Sequence, residues 1–227
     1  SKTTIIDSFL ELLKENKNIS FKGFLSHTGH TYSANSVHEI HSRHFETLIK
    51  LKKLKQRYIK NYPDLLISIG DTPSCSICEN FDGIDEIRPG NFVFYDYMQY
   101  KLGVCSMEDI AVKLACPVIS KNPSRNEVVI YGGAIHLSKD SVVSSNGKPM
   151  YGRISVQKGD MKVLLDELSY VSKLSQEHGI LKISQKDFHL FNIGDFIEII
   201  PVHSCLTANL MRKYITTDGE KIGMMDF

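Results

Sequence analysis

An α/β region that hands over to a mainly antiparallel β region is the fold class this sequence predicts, and three observations predict it. Over residues 1–91, apolar stripes at helical spacing alternate with short apolar runs of strand length. From about Phe92 onward long helical stripes are scarce, and short strand-like runs separated by turn signals take over. The composition, 42% hydrophobic and 23% charged, is that of an ordinary globular chain able to bury a core in each part. The change of rhythm divides the chain into 1–91 and 92–227.

The elements follow in order. Thr4 to Glu15 carries Ile5, Ile6, Phe9, Leu10, Leu12 and Leu13, a helical face. Ile19 to Leu25 is a short apolar run and predicts a strand. Ser36 to Tyr62 predicts a long helix whose buried stripe is Val37, Ile40, Phe45, Leu48, Ile49, Leu51, Leu54 and Tyr58, stopped by Pro63. Leu65 to Ile69 predicts a buried strand closed by Gly70, and Ile84 to Arg88 a further strand ended by Pro89-Gly90. In the second part, 91–96, 115–120, 127–131, 152–156, 179–183 and 196–201 read as strands. Asn146-Gly147 and Asp218-Gly219 are turn signals.

Charge and cysteine content exclude several function classes. Lys plus Arg number 27 and Asp plus Glu 26, so no global field recruits nucleic acid or an anionic membrane. The basic run Lys50, Lys52, Lys53, Lys55 and Arg57 lies on the long helix and reads as a solvated face. No apolar run reaches the ~18 residues of a spanning helix, and Ser1 to Leu13 does not read as a signal peptide. The five cysteines, Cys75, Cys78, Cys105, Cys116 and Cys205, are too irregular for a disulfide framework. A reducing, cytoplasmic location is therefore expected. Cys75-x-x-Cys78 has no second such pair at zinc-ribbon spacing. His38, His41 and His44 recur every third residue on the long helix and read as an exposed stripe.

Three constellations carry chemistry. His203-Ser204-Cys205 follows an apolar strand. On extended backbone the imidazole and the thiolate point the same way, and a nitrogen with a soft sulfur favours zinc over magnesium or calcium. The alternative is an unliganded polar strand end. Two ligands are too few for a closed structural site, so an ion held there is open and catalytic. Ser26-His27-Thr28-Gly29-His30-Thr31-Tyr32 follows a strand and can send imidazoles and a phenol into a pocket, or be a solvated loop before a helix cap at Ser33 or Ser36. Gly70-Asp71-Thr72-Pro73-Ser74 can cradle a phosphate with backbone N–H groups, or be a plain turn.

Taken together, six segments in order resemble the D-serine dehydratase and D-threonine aldolase family. Gly29-His30-Thr31-Tyr32 is similar to its Gly-His-Ser-Tyr segment, and Gly70-Asp71-Thr72-Pro73-Ser74 to its Gly-Ser-Thr-Pro-Thr loop. The stretch from Glu86 to Asp96 resembles its Glu-Leu-Arg-Pro-Gly-x-Tyr stretch. Gly132 to Asp140 resembles a glycine-bearing segment ending Leu-Ser-x-Asp. Gln176-Glu177-His178-Gly179 is similar to its Glu-His-Gly element, and Pro201-Val202-His203-Ser204-Cys205 to its metal-binding Pro-x-His-x-Cys.

The resemblance implies a partial (β/α)8 alanine-racemase-like barrel followed by the β domain. It implies pyridoxal 5'-phosphate held by Tyr32, His30, Gly70, Asp71 and Thr72, and zinc held by His203 and Cys205; Glu177 and His178 read either as a shell behind the metal or as an ordinary surface turn. It implies a small D-amino-acid substrate, a homodimer, and a lyase reaction: β-elimination of a D-3-hydroxy amino acid to a keto acid and ammonia. Retro-aldol cleavage or a non-catalytic regulatory role are the alternatives. Cys205 favours the dehydratase, since aldolase relatives place a carboxylate there. Two departures stand out: Asp71 replaces the family's serine, an anion where a phosphate is expected, and His136 stands where relatives often carry lysine. The family's Schiff-base lysine lies far upstream of its Gly-His-Ser-Tyr segment, whereas 28 residues precede Gly29 here. Lys14, Lys17 and Lys22 do not match its motif. The cofactor lysine, and the rest of the barrel, are therefore expected upstream of residue 1.

Overall fold

The structure, a computed structural model, describes residues 2–158 and 161–225. The chain divides into two compact units, Ser1–Gly90 and Asn91–Phe227.

In the first unit, α1 (Lys2–Lys14) precedes β1 (Gly23–Ser26), α2 (Val37–Tyr58), β2 (Leu66–Ile69), α3 (Thr72–Ile77) and β3 (Glu86–Ile87). The three strands pair in parallel in the order β1-β2-β3, with Ser26 opposite Ile69 and Ile69 opposite Ile87. Parallel neighbours need a crossover, and α2 supplies the one from β1 to β2. Its start is set by Ser36, whose Oγ accepts the Glu39 N–H at 3.2 Å, while the Glu39 carboxylate accepts the Asn35 N–H at 2.8 Å. The core gathers Leu10, Leu51, Tyr58, Leu65, Ile67 and Ile69. Burying each large aliphatic side chain there is worth roughly 1.5–3 kcal/mol. Arg88 ties the strand ends together: Nε donates to Ser68 Oγ at 2.6 Å and Nη2 to Ser26 O at 3.1 Å. The expected histidine stripe on α2 divides. His38 and His41 are exposed, but His44 is buried, with Nε2 2.7 Å from Asn80 O.

In the second unit, α4 (Tyr97–Lys101) is followed by β4 (Leu114–Asn122), β5 (Glu127–Tyr131), α5 (Ala134–Leu137), β6 (Val142–Val143), β7 (Pro149–Met150), β8 (Gly152–Lys158), β9 (Met161–Leu164), β10 (Tyr170–Leu174), β11 (His178–Lys182), β12 (Phe196–Pro201), α6 (Ser204–Met211), β13 (Lys213–Ile215) and β14 (Lys221–Gly223). The main sheet runs β10-β11-β5-β4-β12-β8-β9, all antiparallel, and β10 also pairs β8 through Tyr170 and Arg153. That last pairing closes six of the strands into a barrel and removes the exposed edges an open sheet would leave. Inward residues alternate along the strands, so Leu114, Cys116, Val118, Val128, Ile130, Ile154, Ile197 and Ile199 fill the interior. On the outside, Tyr97, Ile110, Met150, Tyr170, Ile200 and Val202 form a second cluster. β6–β7 and β13–β14 are small hairpins with Gly147 and Gly219 at φ 76° and 92°.

One expected strand is absent. Residues 91–96 form a 3-10 turn (Asn91–Val93) that leads into α4. The run is apolar enough for a strand, but its ends are short polar side chains that bond locally: Asn91 Nδ2 donates to Asp96, and Asp96 Oδ1 accepts the Gln99 N–H at 2.9 Å. Local side-chain bonds of this kind compete with a sheet ladder. Among the described residues, no helix is long and apolar enough to cross a membrane.

Candidate functional site

In the first unit, two loops meet at the C-terminal ends of β1 and β2. The first turns through a 3-10 segment, Gly29–Ser33, and the second enters α3. Tyr32 Oη accepts the Thr72 N–H at 3.2 Å. His27 Nδ1–H donates to Gly70 O, and its ring lies 6.0 Å from that of Tyr32. The imidazole that reaches this loop is thus His27; His30 is exposed on the 3-10 turn, where its backbone oxygen accepts from Arg43. Gly70 is required by space, because a Cβ would come within 2.8 Å of Arg88 O.

Asp71 is 1% exposed, and its carboxylate turns into the chain. Oδ2 accepts from the Ser74 N–H at 2.9 Å, Ser74 Oγ at 2.7 Å and Thr31 Oγ1 at 2.9 Å. Asp71 is therefore the N-cap of α3, with Pro73 in the first turn. Oδ2 is thus committed to the helix and to Thr31, while Oδ1 is buried with no hydrogen-bond partner among the described residues. Two further amides of the segment are used: Gly70 N–H goes to Ser26 O at 3.1 Å and Cys75 N–H to Asp71 O at 3.2 Å. Tyr32 only accepts in its bond to Thr72, so its own O–H proton is left for an anion. Deeper in this unit, Cys78 Sγ lies 3.4 Å from His41 Nδ1. Burial pushes the Cys78 thiol up to about 11 and raises that of Cys75 too, which disfavours a thioredoxin-like role.

In the second unit, His203 lies on extended backbone but Cys205 does not. β12 ends at Pro201, His203 is the N-cap of α6 at φ −131° and ψ 98°, and Cys205 lies in the helix's first turn. A helix starts here because the Ser204 N–H, otherwise an orphan donor, is taken by Asp96 Oδ2 at 3.1 Å. His203 Nδ1 lies 2.7 Å from Asp140 Oδ2. The imidazole is pushed up to about 9, chiefly by the nearby Cys205 side chain. Burial opposes the rise, and the Asp140 bond and the charges of Asp96 and Asp140 add to it. Burial raises the Asp96 carboxyl, against the N–H bonds of Gln99 and Ser204 and the Asn91 amide. Among the described residues no three His, Cys, Asp or Glu side chains converge as a complete metal site. With Nδ1 facing Asp140, Nε2 and the Cys205 sulfur are the side-chain atoms here that could hold an ion.

Glu177 and His178 belong to a neighbouring contact. The Gly132 N–H donates to Glu177 O at 2.9 Å, and the His178 ring lies 5.9 Å from that of Tyr131. A Cβ on Gly133 would come within 2.5 Å of Gln176 O, so only glycine permits this approach. His136 Nδ1 accepts the Gly133 N–H at 3.1 Å and caps α5, with burial lowering its pKa. A lysine there would have no acceptor to offer. Asp96 and Asp140 were not among the site residues expected from sequence, and His27 was expected only as one of the imidazoles of its loop. Asp96 carries a readable signal, an acidic N-cap with Gln99 three residues later; His27 and Asp140 depend on contacts across 43 and 63 positions.

Residues 111–217 match the family model described as "Putative serine dehydratase domain". The chain is 33% identical over 223 residues to D-serine dehydratase of Dictyostelium discoideum, covering 91% of this chain and 54% of that one. It is 27% identical over 165 residues to D-threo-3-hydroxyaspartate dehydratase of Delftia sp., covering 69% and 42%. The solved structure of that enzyme superposes with a TM-score of 0.72 at 23% identity over 89% of this chain and 55% of the other, and a mutant of it has been solved in a metal-free form. An alanine-racemase-like protein from Idiomarina loihiensis superposes with a TM-score of 0.75 at 26% identity, covering 88% and 54%. The chain thus spans about half the length of the curated relatives it matches.

Proposed function

The chain belongs to the D-serine dehydratase family, and on that premise we propose that the protein acts as a pyridoxal-phosphate- and zinc-dependent lyase on a D-3-hydroxy amino acid. The reaction is β-elimination, in which the α-proton and the β-hydroxyl leave and hydrolysis then yields a keto acid and ammonia. The observation that carries the reading is the His203–Cys205 pair at the start of α6, an imidazole at the N-cap and a thiol in the first turn, with Asp140 on the imidazole Nδ1. On the same reading the first unit is the closing part of a (β/α)8 barrel, whose strand ends are where cofactor loops gather.

The residues present fit both groups. In the first unit Tyr32 and Thr72 would hold the cofactor, while His27, Arg88 and the Asp71 cap hold the loop in shape. Pyridoxal phosphate, when bound, supplies the electron sink that lets the α-proton leave. In the second unit His203 and Cys205 hold the ion, and zinc supplies Lewis acidity toward the β-hydroxyl. A thiolate at the second ligand position suits zinc better than a harder divalent ion, which favours elimination over aldol cleavage.

The test uses the full-length protein. A visible absorption band from bound cofactor, and release of ammonia and pyruvate from D-serine that a zinc chelator stops and zinc restores, are the expected results. Turnover of D-serine undiminished after complete metal removal, or glycine and an aldehyde as the products from D-threonine with no ammonia, would overturn it.

A further inference from the structure

We infer that Asp140 is a positioning residue for the His203–Cys205 pair, acting through the imidazole without itself holding the ion; this rests on the metal reading above. Asp140 lies on the link from α5 to β6, and Oδ2 sits 2.7 Å from His203 Nδ1. The turn that delivers it is strained. Ser138 adopts φ 68° and ψ −172°, a region that side chains rarely enter, as the C-cap of α5. Two bonds hold it there: its N–H donates to Ala134 O at 2.9 Å, and its Oγ accepts the Asp140 N–H at 3.2 Å.

The magnitudes decide between a stabilising and an orienting role. A backbone outlier of this kind is costly to hold. The ion pair it delivers is half exposed, with side-chain exposures of 34% and 45%, and such pairs add little to stability. The turn therefore costs more folding free energy than the contact returns, so stability does not account for it. Orientation does. A carboxylate on Nδ1 keeps the proton on that nitrogen, presents the Nε2 lone pair to an ion and fixes the ring plane. Asp96 works on the other half of the pair through the backbone, holding the Ser204 N–H that lies between the two ligands.

The test is a titration of the zinc-free, full-length protein with cobalt(II), read from the sulfur-to-cobalt charge-transfer band and the visible ligand-field bands. The wild-type protein shows the charge-transfer band and Cys205→Ser loses it. Asp140→Ala weakens cobalt binding by about 10–100-fold and shifts the ligand-field envelope, without loss of thermal stability, and Asp140→Glu recovers part of both. An Asp140→Ala variant with wild-type affinity and spectrum overturns the positioning role while leaving the metal pair intact. A wild-type protein with no sulfur-to-cobalt band overturns the metal reading and this inference with it.

Discussion

Replacing Asp71 tests whether its carboxylate serves the helix or the cofactor. It is 1% exposed and accepts from the Ser74 amide, the Ser74 hydroxyl and the Thr31 hydroxyl. In Asp71→Ala the N-cap is lost, worth about 1 kcal/mol. The Ser74 hydroxyl also loses its acceptor in a buried place, worth about 1–3 kcal/mol. Thr31 Oγ1 keeps Thr28 O at 2.9 Å and adds little. The expected destabilisation is about 2–4 kcal/mol, with roughly half of it recovered in Asp71→Ser, whose hydroxyl can still cap Ser74. The assay is urea unfolding of the cofactor-free full-length protein, with hydrogen exchange at the α3 amides to localise the loss. The cofactor arm is separate. If Asp71 faced the phosphate, removing its charge would tighten pyridoxal phosphate binding by tenfold or more, on the order of 1.4 kcal/mol. Because the side chain is turned into the helix, Asp71→Ser is expected to leave that affinity within about threefold. An Asp71→Ala variant as stable as the wild type, or a strong gain in cofactor affinity in Asp71→Ser, would refute the capping argument.

Three further outcomes follow from particular contacts. Asp85 lies below its ordinary value of 3.8 because it accepts from Lys55 and from the Ile67 N–H. A carboxylate depressed in the folded state adds stability above its unfolded pKa and loses it as pH falls through the folded value; the gap in urea midpoint between wild type and Asp85→Asn should narrow on acidification from pH 7 and close once both forms are protonated, and a gap independent of pH would contradict it. Cys205→Asp replaces a soft donor by a hard one, so metal competition should shift from zinc toward manganese, measured as metal content after dialysis against an equimolar mixture; undiminished zinc preference would count against the sulfur as ligand. Gly133→Ala places a methyl 2.5 Å from three backbone atoms of residues 176–178, which forces the two segments apart. A loss of more than about 3 kcal/mol, or insoluble protein, is expected, and near-wild-type circular dichroism and unfolding would show that the approach is not tight.

The sequence alone determined what is local or periodic. The Ser36 cap of α2, the short buried β2, the runs that became β5 and β12, and the turns at Gly147 and Gly219 follow from spacing and side-chain chemistry within a few residues, whereas the α2 stripe held only in part: Ile40, Leu48, Leu51 and Tyr58 are buried but Val37, Phe45 and Ile49 are exposed. The pairing of β10 with β8 that closes the barrel was beyond it, because β10 has the weak apolar pattern of Tyr170-Val171-Ser172-Lys173-Leu174 and gains its place from partners distant in the chain. The site divided in the same way. His203 and Cys205 are legible as a donor pair from their identities, yet the extended backbone expected for both holds only at His203, since Asp96, 108 positions away from Ser204, supplies a bond to the helix that begins at Ser204 and takes in Cys205. Asp71 read as a misplaced anion until the tertiary structure turned it into a cap. A sequence records which groups a chain owns; which of them share a proton is decided by contacts that only folding brings within 3 Å or so.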